Sequence, residues 1–316
     1  MLRRFALVGV IQNAFAASRR CSRSIRALCL ILSLSVYCGG AAPTKSGVLE
    51  LGHHVFVFPT ATGNVVASIG KDGALLVGTP SAASTTRINR MIAKQTRSSF
   101  RYVLIAPQDT VHSEGDAGWG HLGAFVAMHE NALRRLGGAT MGAPSPLPVR
   151  LVQLGVDRPK IAFSQVLAFD LNGDSIHVVH QMPAYSDGDA IVHFHEANLV
   201  YLGEVFPGDG YPTIDREQGG TLEGELKTLE MWTDPTYRVI PARGNPTDGA
   251  SVREFRDMII SARDRIQHLI ASGKNENQVI AEHPTVDLDA RWGQGRVRPD
   301  DFVRTLYECL KDTQEK

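Results

Sequence analysis

Tyr102-Val103-Leu104-Ile105-Ala106-Pro107-Gln108-Asp109-Thr110-Val111-His112 carries the chain from an apolar, strand-like run into a turn-prone segment, and a glycine-rich stretch from Gly115 to Gly123 follows. A short apolar run halted by such a segment predicts a buried strand ending at a loop. Just upstream, residues 84–96 place Ile88, Met91 and Ile92 on one face of a helix. Before that helix come three strand-like runs, residues 55–58, 64–69 and 74–77, the last two parted by the turn Lys71-Asp72-Gly73. Strand, helix, strand and a glycine-rich loop beyond form an α/β pattern.

Further along, residues 137–148 are rich in Gly and Pro and read as a surface loop. The runs 166–171 and 175–180 flank Asn172-Gly173-Asp174, a strong hairpin signal, because the tight turn needs residues that accept positive φ. A second pair, 190–195 and 199–205, is joined by Glu196-Ala197-Asn198. Repeated hairpins beside helices predict two packed sheets with helices outside. Residues 252–270 space Val252, Phe255, Ile259, Ile266 and Leu269 as a helix that Gly273 stops, and Phe302, Val303, Leu306, Tyr307 and Leu310 repeat the pattern. No linker intervenes, so the expected layout is one domain over 43–250 with a helical extension, 251–316, packed on it.

The first 42 residues differ in character. Arg3, Arg4, Arg19, Arg20, Arg23 and Arg26 occur there without a single acid, then the apolar run from Ala27 to Cys38, then Gly39, Gly40, Ala41 and Ala42. That order predicts a secretory signal over residues 1–42, cleaved near Ala41 or Ala42, and a periplasmic or secreted protein. The apolar run is short for a membrane span; an uncleaved anchor and a misassigned start codon are the competing readings, and Ser35-Val36-Tyr37 is a poor lipobox before Cys38. Without the six leader arginines, 27 basic residues face 33 acids, a formal charge of about −6. This argues against nucleic acid or an anionic membrane as partner. Of four cysteines only Cys309 lies outside the leader, so no disulfide within the mature chain is expected.

Several segments together resemble the metallo-β-lactamase superfamily, in particular an exported bacterial branch: Met128-His129-Glu130-Asn131, Pro183-Ala184-Tyr185-Ser186-Asp187-Gly188-Asp189, Tyr201-Leu202-Gly203-Glu204-Val205-Phe206, Val239-Ile240-Pro241-Ala242-Arg243-Gly244 and Leu288-Asp289-Ala290-Arg291-Trp292-Gly293. The resemblance runs from about Val48 to Leu310. It implies an αββα sandwich of two mixed β-sheets flanked by helices, with a pocket at one edge of the sheets lined by residues 107–112, 185, 204 and 243. In that family two zinc ions, held by imidazoles and carboxylates, activate a hydroxide that attacks a carbonyl or phosphoryl centre.

The ligands that the resemblance implies are mostly replaced here. Where the family has His-x-His-x-Asp-His, this chain has Pro107, Asp109, Val111 and His112, so only the last histidine is kept. The histidine of Pro-Ala-His-Thr-Asp-Gly-Asp falls on Tyr185, the bridging aspartate of Gly-Asp on Glu204, and the histidine of Ile-Pro-Gly-His-Gly on Arg243. Gly78 stands where a supporting aspartate closes the strand before the first helix. A guanidinium cannot ligate zinc, and its fixed charge can pair with the carboxylates a metal would have bridged. Arg243 is therefore expected to replace the metal electrostatically, between Asp109 and Glu204.

The vestigial pocket would then comprise Asp109, His112, Tyr185, Asp189, Glu204 and Arg243 and bind a small molecule or a protein partner without a cofactor. The rival reading is a metal-dependent hydrolase of esters, thioesters, lactams or phosphodiesters, with one zinc or other divalent ion at Asp109, His112 and Glu204. Plainer readings exist for each residue: His112 as a polar loop residue, Asp109 as a turn cap, Tyr185 as a buried ring, Asp187 and Asp189 as turn formers. His193-x-His195 puts two imidazoles on one strand face, a pairing more often half-exposed than metal-binding, and His53-His54 would point to opposite faces of a strand. No serine or cysteine stands in a nucleophile motif, and no glycine-rich loop opens a helix to cradle phosphate.

Overall fold

A computed structural model describes residues 47–78, 82–98, 101–105, 124–135 and 160–314. All of these belong to one compact unit spanning residues 41–316. The leader, the 137–148 loop and the stretch Pro107–His112, with Asp109 and His112 in it, lie outside the described residues.

Seven strands form the first sheet in chain order: β1 (Leu49–Glu50), β2 (Val55–Pro59), β3 (Asn64–Gly70), β4 (Gly73–Val77), β5 (Arg101–Ile105), β6 (Phe125–His129) and β7 (Ile161–Phe163). The first four are antiparallel and the pairs from β4 to β7 are parallel. Helices α1 (Ala82–Gln95) and α2 (Glu130–Arg135) pack on its outer face through Ile88, Ile92, Ala132 and Leu133, against Phe56, Phe58, Leu76, Val103 and Met128.

The second sheet has six strands in the order β13-β12-β11-β10-β9-β8: β8 (Val166–Leu171), β9 (Asp174–His180), β10 (Ala190–Phe194), β11 (Leu199–Gly203), β12 (Arg238–Pro241) and β13 (Thr247–Asp248). Its outer face carries α3 (Leu222–Glu230), α4 (Gly249–Ala271), α5 (Glu276–Ala281), α6 (Asp289–Trp292) and α7 (Pro299–Gln314). The inner faces meet in a core of Val57, Val66, Leu75 and Leu104 from one sheet and Ile176, Val178, Val192, Phe194 and Tyr201 from the other. The layers are therefore α, β, β, α. β3, β4 and β11 are buried along their whole length, and β4 and β11 accordingly read as continuous apolar runs rather than as alternating ones.

The C-terminal helices belong to this sandwich. Val252, Phe255 and Ile259 of α4 and Phe302 and Leu306 of α7 share one core with Val200, Leu202 and Val239 of the second sheet. Burying such an apolar stripe stabilises each helix far more than propensity does, at roughly 25 cal/mol per Å² removed from water.

Two asparagines fasten β3 to the second sheet at both ends. At its C-terminal end the β8–β9 turn, Asn172 (φ +58) and Gly173 (φ +81), reaches the β3–β4 turn. Asn172 N–H donates to Asp72 Oδ2 (2.9 Å), Asp72 N–H to Asn172 Oδ1 (3.1 Å), and Asn172 Nδ2 to Ser68 Oγ (3.0 Å). At the other end Asn64 Nδ2 donates to Pro241 O (3.0 Å) and Gly244 O (2.9 Å), and Asn64 N–H to Ala242 O (2.6 Å). His53 (φ +47) and His54 (φ +62) form the tight turn between β1 and β2, closed by Val55 N–H on Gly52 O, and are not the strand residues that the sequence suggests.

Candidate functional site

Strands β11 and β12 are parallel neighbours, so their C-terminal ends open on the same edge of the sheet. Their register shifts between Tyr201 and Gly203, and Gly203 takes φ +56, a conformation that costs glycine least. The strand thus ends in a turn closed by Phe206 N–H on Gly203 O, which puts Glu204 at the edge. After β12, Ala242 N–H donates to Phe206 O and Arg243 N–H to Pro207 O, laying the two strand exits side by side. Gly208 (φ +81) allows this, since a Cβ there would stand 2.4 Å from Arg243 O.

In that frame Arg243 meets two carboxylates. Its Nη1 and Nη2 donate to Glu204 Oε1 (2.5 Å) and Oε2 (2.8 Å), and its Nε donates to Asp209 Oδ2 (2.7 Å). The Arg243 and Glu204 side chains keep only 15% and 9% of their surface, so this fork lies largely out of water. Desolvation works to lower the guanidinium pKa, but the bonds and charges of Glu204 and Asp209 outweigh it and raise it. The expected pairing with Glu204 is present. Its second partner within the described residues is Asp209, which the sequence reading missed; the pairing expected with Asp109 lies outside them.

Asp209 is held from the far C-terminal part of the chain. Gly295 packs so closely that a Cβ would lie 2.0 Å from Asp209 O, Tyr211 N–H donates to Trp292 O (3.0 Å), and Tyr211 Oη to Asp289 Oδ1 (2.7 Å). Tyr211 also stacks on Phe302 with ring centroids 4.3 Å apart. The closing motif Leu288 to Gly293 therefore positions the residue that completes the arginine's bonding.

The loop before β10 brings Tyr185 and Asp189 to the same edge. Asp189 accepts from Ser186 N–H (3.0 Å) and Ser186 Oγ (2.8 Å), which makes it the local turn former. Burial nevertheless pushes its carboxyl up to about 6, against the lowering effect of those bonds. The Tyr185 phenol is pushed up to about 12, first by burial and then by the charges of Asp215, Glu204 and Asp189. It remains protonated at neutral pH and can donate a hydrogen bond. Asp187 instead pairs with Arg135 of α2.

Beneath this acidic group sits Glu225 of α3, fully buried, with neither carboxylate oxygen hydrogen-bonded among the described residues. Burial, then the charges of Asp189 and Glu204, raise its pKa well above the ordinary value. Burial of this kind favours the neutral form over the charged one. An acid between Leu222 and Leu229 on the apolar stripe of a helix was a legible signal, and Asp209 within Pro207-Gly208-Asp209-Gly210 a weaker one.

Gly78, where the resemblance implies a carboxylate, has φ +89, and an added Cβ would touch Asn64 O at 3.4 Å. Side chains other than glycine's are strained in that conformation. His193 and His195 do share a face, joined by His177 across the strand pair: His195 Nε2 and His177 Nδ1 are 3.0 Å apart. His193 lies against Trp232 and Tyr237, and burial, then His195 and His177, lower it to about 4. Among the described residues no group of three or more His, Cys, Asp or Glu is arranged to hold a metal ion.

No protein-family model matches the chain, and no curated protein does. Solved structures do. A β-lactamase domain protein from Burkholderia ambifaria is 14% identical with a TM-score of 0.57, over 87% of this chain and 89% of that one. A metallo-β-lactamase family protein from Thermus thermophilus is 17% identical with a TM-score of 0.55, over 84% and 95%. The stereoselective inverting sec-alkylsulfatase of a Pseudomonas species is 14% identical with a TM-score of 0.57 over 83% of this chain, which spans only 50% of the sulfatase's length. The chain has the metallo-β-lactamase fold.

Proposed function

We propose that this is an exported protein of hydrolase ancestry in which an arginine fork has taken over the electrostatic work of a dinuclear zinc site, and that it binds a small ligand without hydrolysing it. One observation carries the reading: both oxygens of Glu204 accept from Arg243. Zinc needs lone pairs, and a guanidinium has none to give. A zinc pair does not fit these residues, because the carboxylate that would bridge it is already neutralised by a permanent charge that would repel the ions at short range.

The ligand class follows from the Tyr185 hydroxyl. Acids (Asp215, Glu204, Asp189) and a cation (Arg296) both act on it, and burial keeps it protonated at neutral pH. Such a donor suits a carbonyl compound, such as an ester, amide or lactam, accepting its hydrogen bond. His112 is assigned to the same recognition surface through the resemblance.

Export rests on the order of basic, apolar and small residues in the leader. Among the described residues no helix is long and apolar enough to cross a membrane. The test is thermal stabilisation by simple esters, amides and lactams, scored beside hydrolysis of the same compounds. Stabilisation without turnover, lost in Tyr185→Phe, is expected. Turnover that requires added zinc or manganese and disappears in His112→Ala would establish the rival one-metal hydrolase at Asp109, His112 and Glu204.

A further inference from the structure

A concave surface lies apart from the Arg243 fork and includes none of its residues. It is a groove of 880 Å³ where the first two turns of α3 face α4, α7 and the loop after β9. That volume falls within the range of small-molecule sites, about 300–1,000 Å³. Leu226 and Leu310 form a half-buried apolar floor, and Met182 at the mouth keeps 43% of its surface exposed. Around this floor stand three cations from three separate elements, Arg216, Lys227 of α3 and Arg263 of α4, with Glu223 as the one acid in the lining.

Each cation has a local partner. Arg216 meets Glu308 (2.6 Å), Lys227 meets Glu223 (2.5 Å) and Arg263 meets Asp264 (2.6 Å). Partly exposed pairs of this kind contribute little to stability, and a guanidinium carries five N–H donors, so a ligand carboxylate can join or displace such partners at small cost. An apolar floor ringed by ion-paired cations that a ligand anion can join suits an alkyl chain ending in an anionic head.

We infer that this groove binds a single-chain amphiphile with a monoanionic head, its alkyl chain over Leu226, Leu310 and Met182 and its carboxylate or sulfate against Arg263 and Arg216. Calorimetric titration of the full chain with decanoate, decyl sulfate, decanol and decyltrimethylammonium tests it. Both anions are expected to bind, and each two-carbon shortening should weaken them about tenfold, as burial of methylenes requires. Arg263→Ala and Met182→Glu, both at solvent-accessible positions, should each weaken decanoate about tenfold. Arg291→Ala, which removes an exposed cation outside the groove, should leave the affinity as it is. Equal binding of decanol, wild-type affinity in both groove variants, or no binding of either anion by about 1 mM would overturn the assignment.

Discussion

Arg243 and Glu204 meet fork to fork, two near-parallel N–H to O bonds of 2.5 and 2.8 Å between side chains that are mostly out of water. A pair so placed is strong in geometry and costly to break singly, because the survivor keeps a buried charge. Arg243→Met should therefore destabilise the fold by about 3 kcal/mol, whereas Arg243→Met with Glu204→Met should recover much of the loss. Chemical denaturation of these two, of Glu204→Met alone and of the parent gives the coupling. Additive effects would mean that the fork is a surface pair in solution.

Asn64 is predicted to hold the arginine's loop. Its side chain donates to Pro241 O and Gly244 O on either side of Arg243, and Asn64→Ala leaves both carbonyls short of a donor. The expected cost is about 1–3 kcal/mol. Hydrogen exchange across residues 241–244 should accelerate while the β8–β9 hairpin stays protected; uniform loss of protection would assign Asn64 to global stability alone.

Glu225 predicts stability that declines on the alkaline side. Its pKa is raised in the fold above the ordinary 4.5 by burial and by Asp189 and Glu204, so the folded state holds the proton more tightly than the unfolded chain. That contribution is complete below pH 4.5 and is lost as pH rises through the folded pKa. Glu225→Gln keeps the shape and cannot ionise. It should match the parent in acid and exceed it increasingly as pH rises, measured as unfolding midpoints across pH. A variant less stable than the parent at neutral pH would show that the charged carboxylate has a partner.

His193 gives the opposite slope. Burial, His195 and His177 lower it from 6.5 to about 4, so the unfolded chain binds the proton more readily. Stability from this group is full above pH 6.5 and is lost as pH falls towards 4. His193→Gln should flatten the stability profile in that window. An unchanged profile would place the acid sensitivity elsewhere, with the buried His129 next in line, its pKa also lowered chiefly by burial.

Much of the fold was legible because its signals are local. Asn172-Gly173 announces a turn that needs positive φ, and the all-apolar runs of β4 and β11 announce strands covered on both faces. The helical periods of α4 and α7 were equally plain, and the segments that carry the family resemblance set their order in the sandwich. The site was legible only in part. Glu204 and Arg243 meet at one edge because two parallel strands end there, and the loop before β10 brings Tyr185 within reach of the Glu204 charge, which no local pattern reveals. Asp209 escaped notice because what aims it at Arg243 is packing by residues some 80 positions downstream, Trp292 and Gly295. Asn64 looked like an ordinary strand start, and His53-His54 like a strand, since nothing in two histidines advertises a left-handed turn.

If Arg243 stands in for the metal, the protein has no need of one. The direct test is metal content: the protein produced in zinc- and manganese-supplemented cells, purified without chelator and analysed by mass spectrometry, with the unfolding midpoint recorded before and after chelation. The expected result is far less than one metal ion per chain and a midpoint that chelation does not move. Stoichiometric metal that lowers the midpoint when stripped, and is absent from His112→Ala, would contradict it.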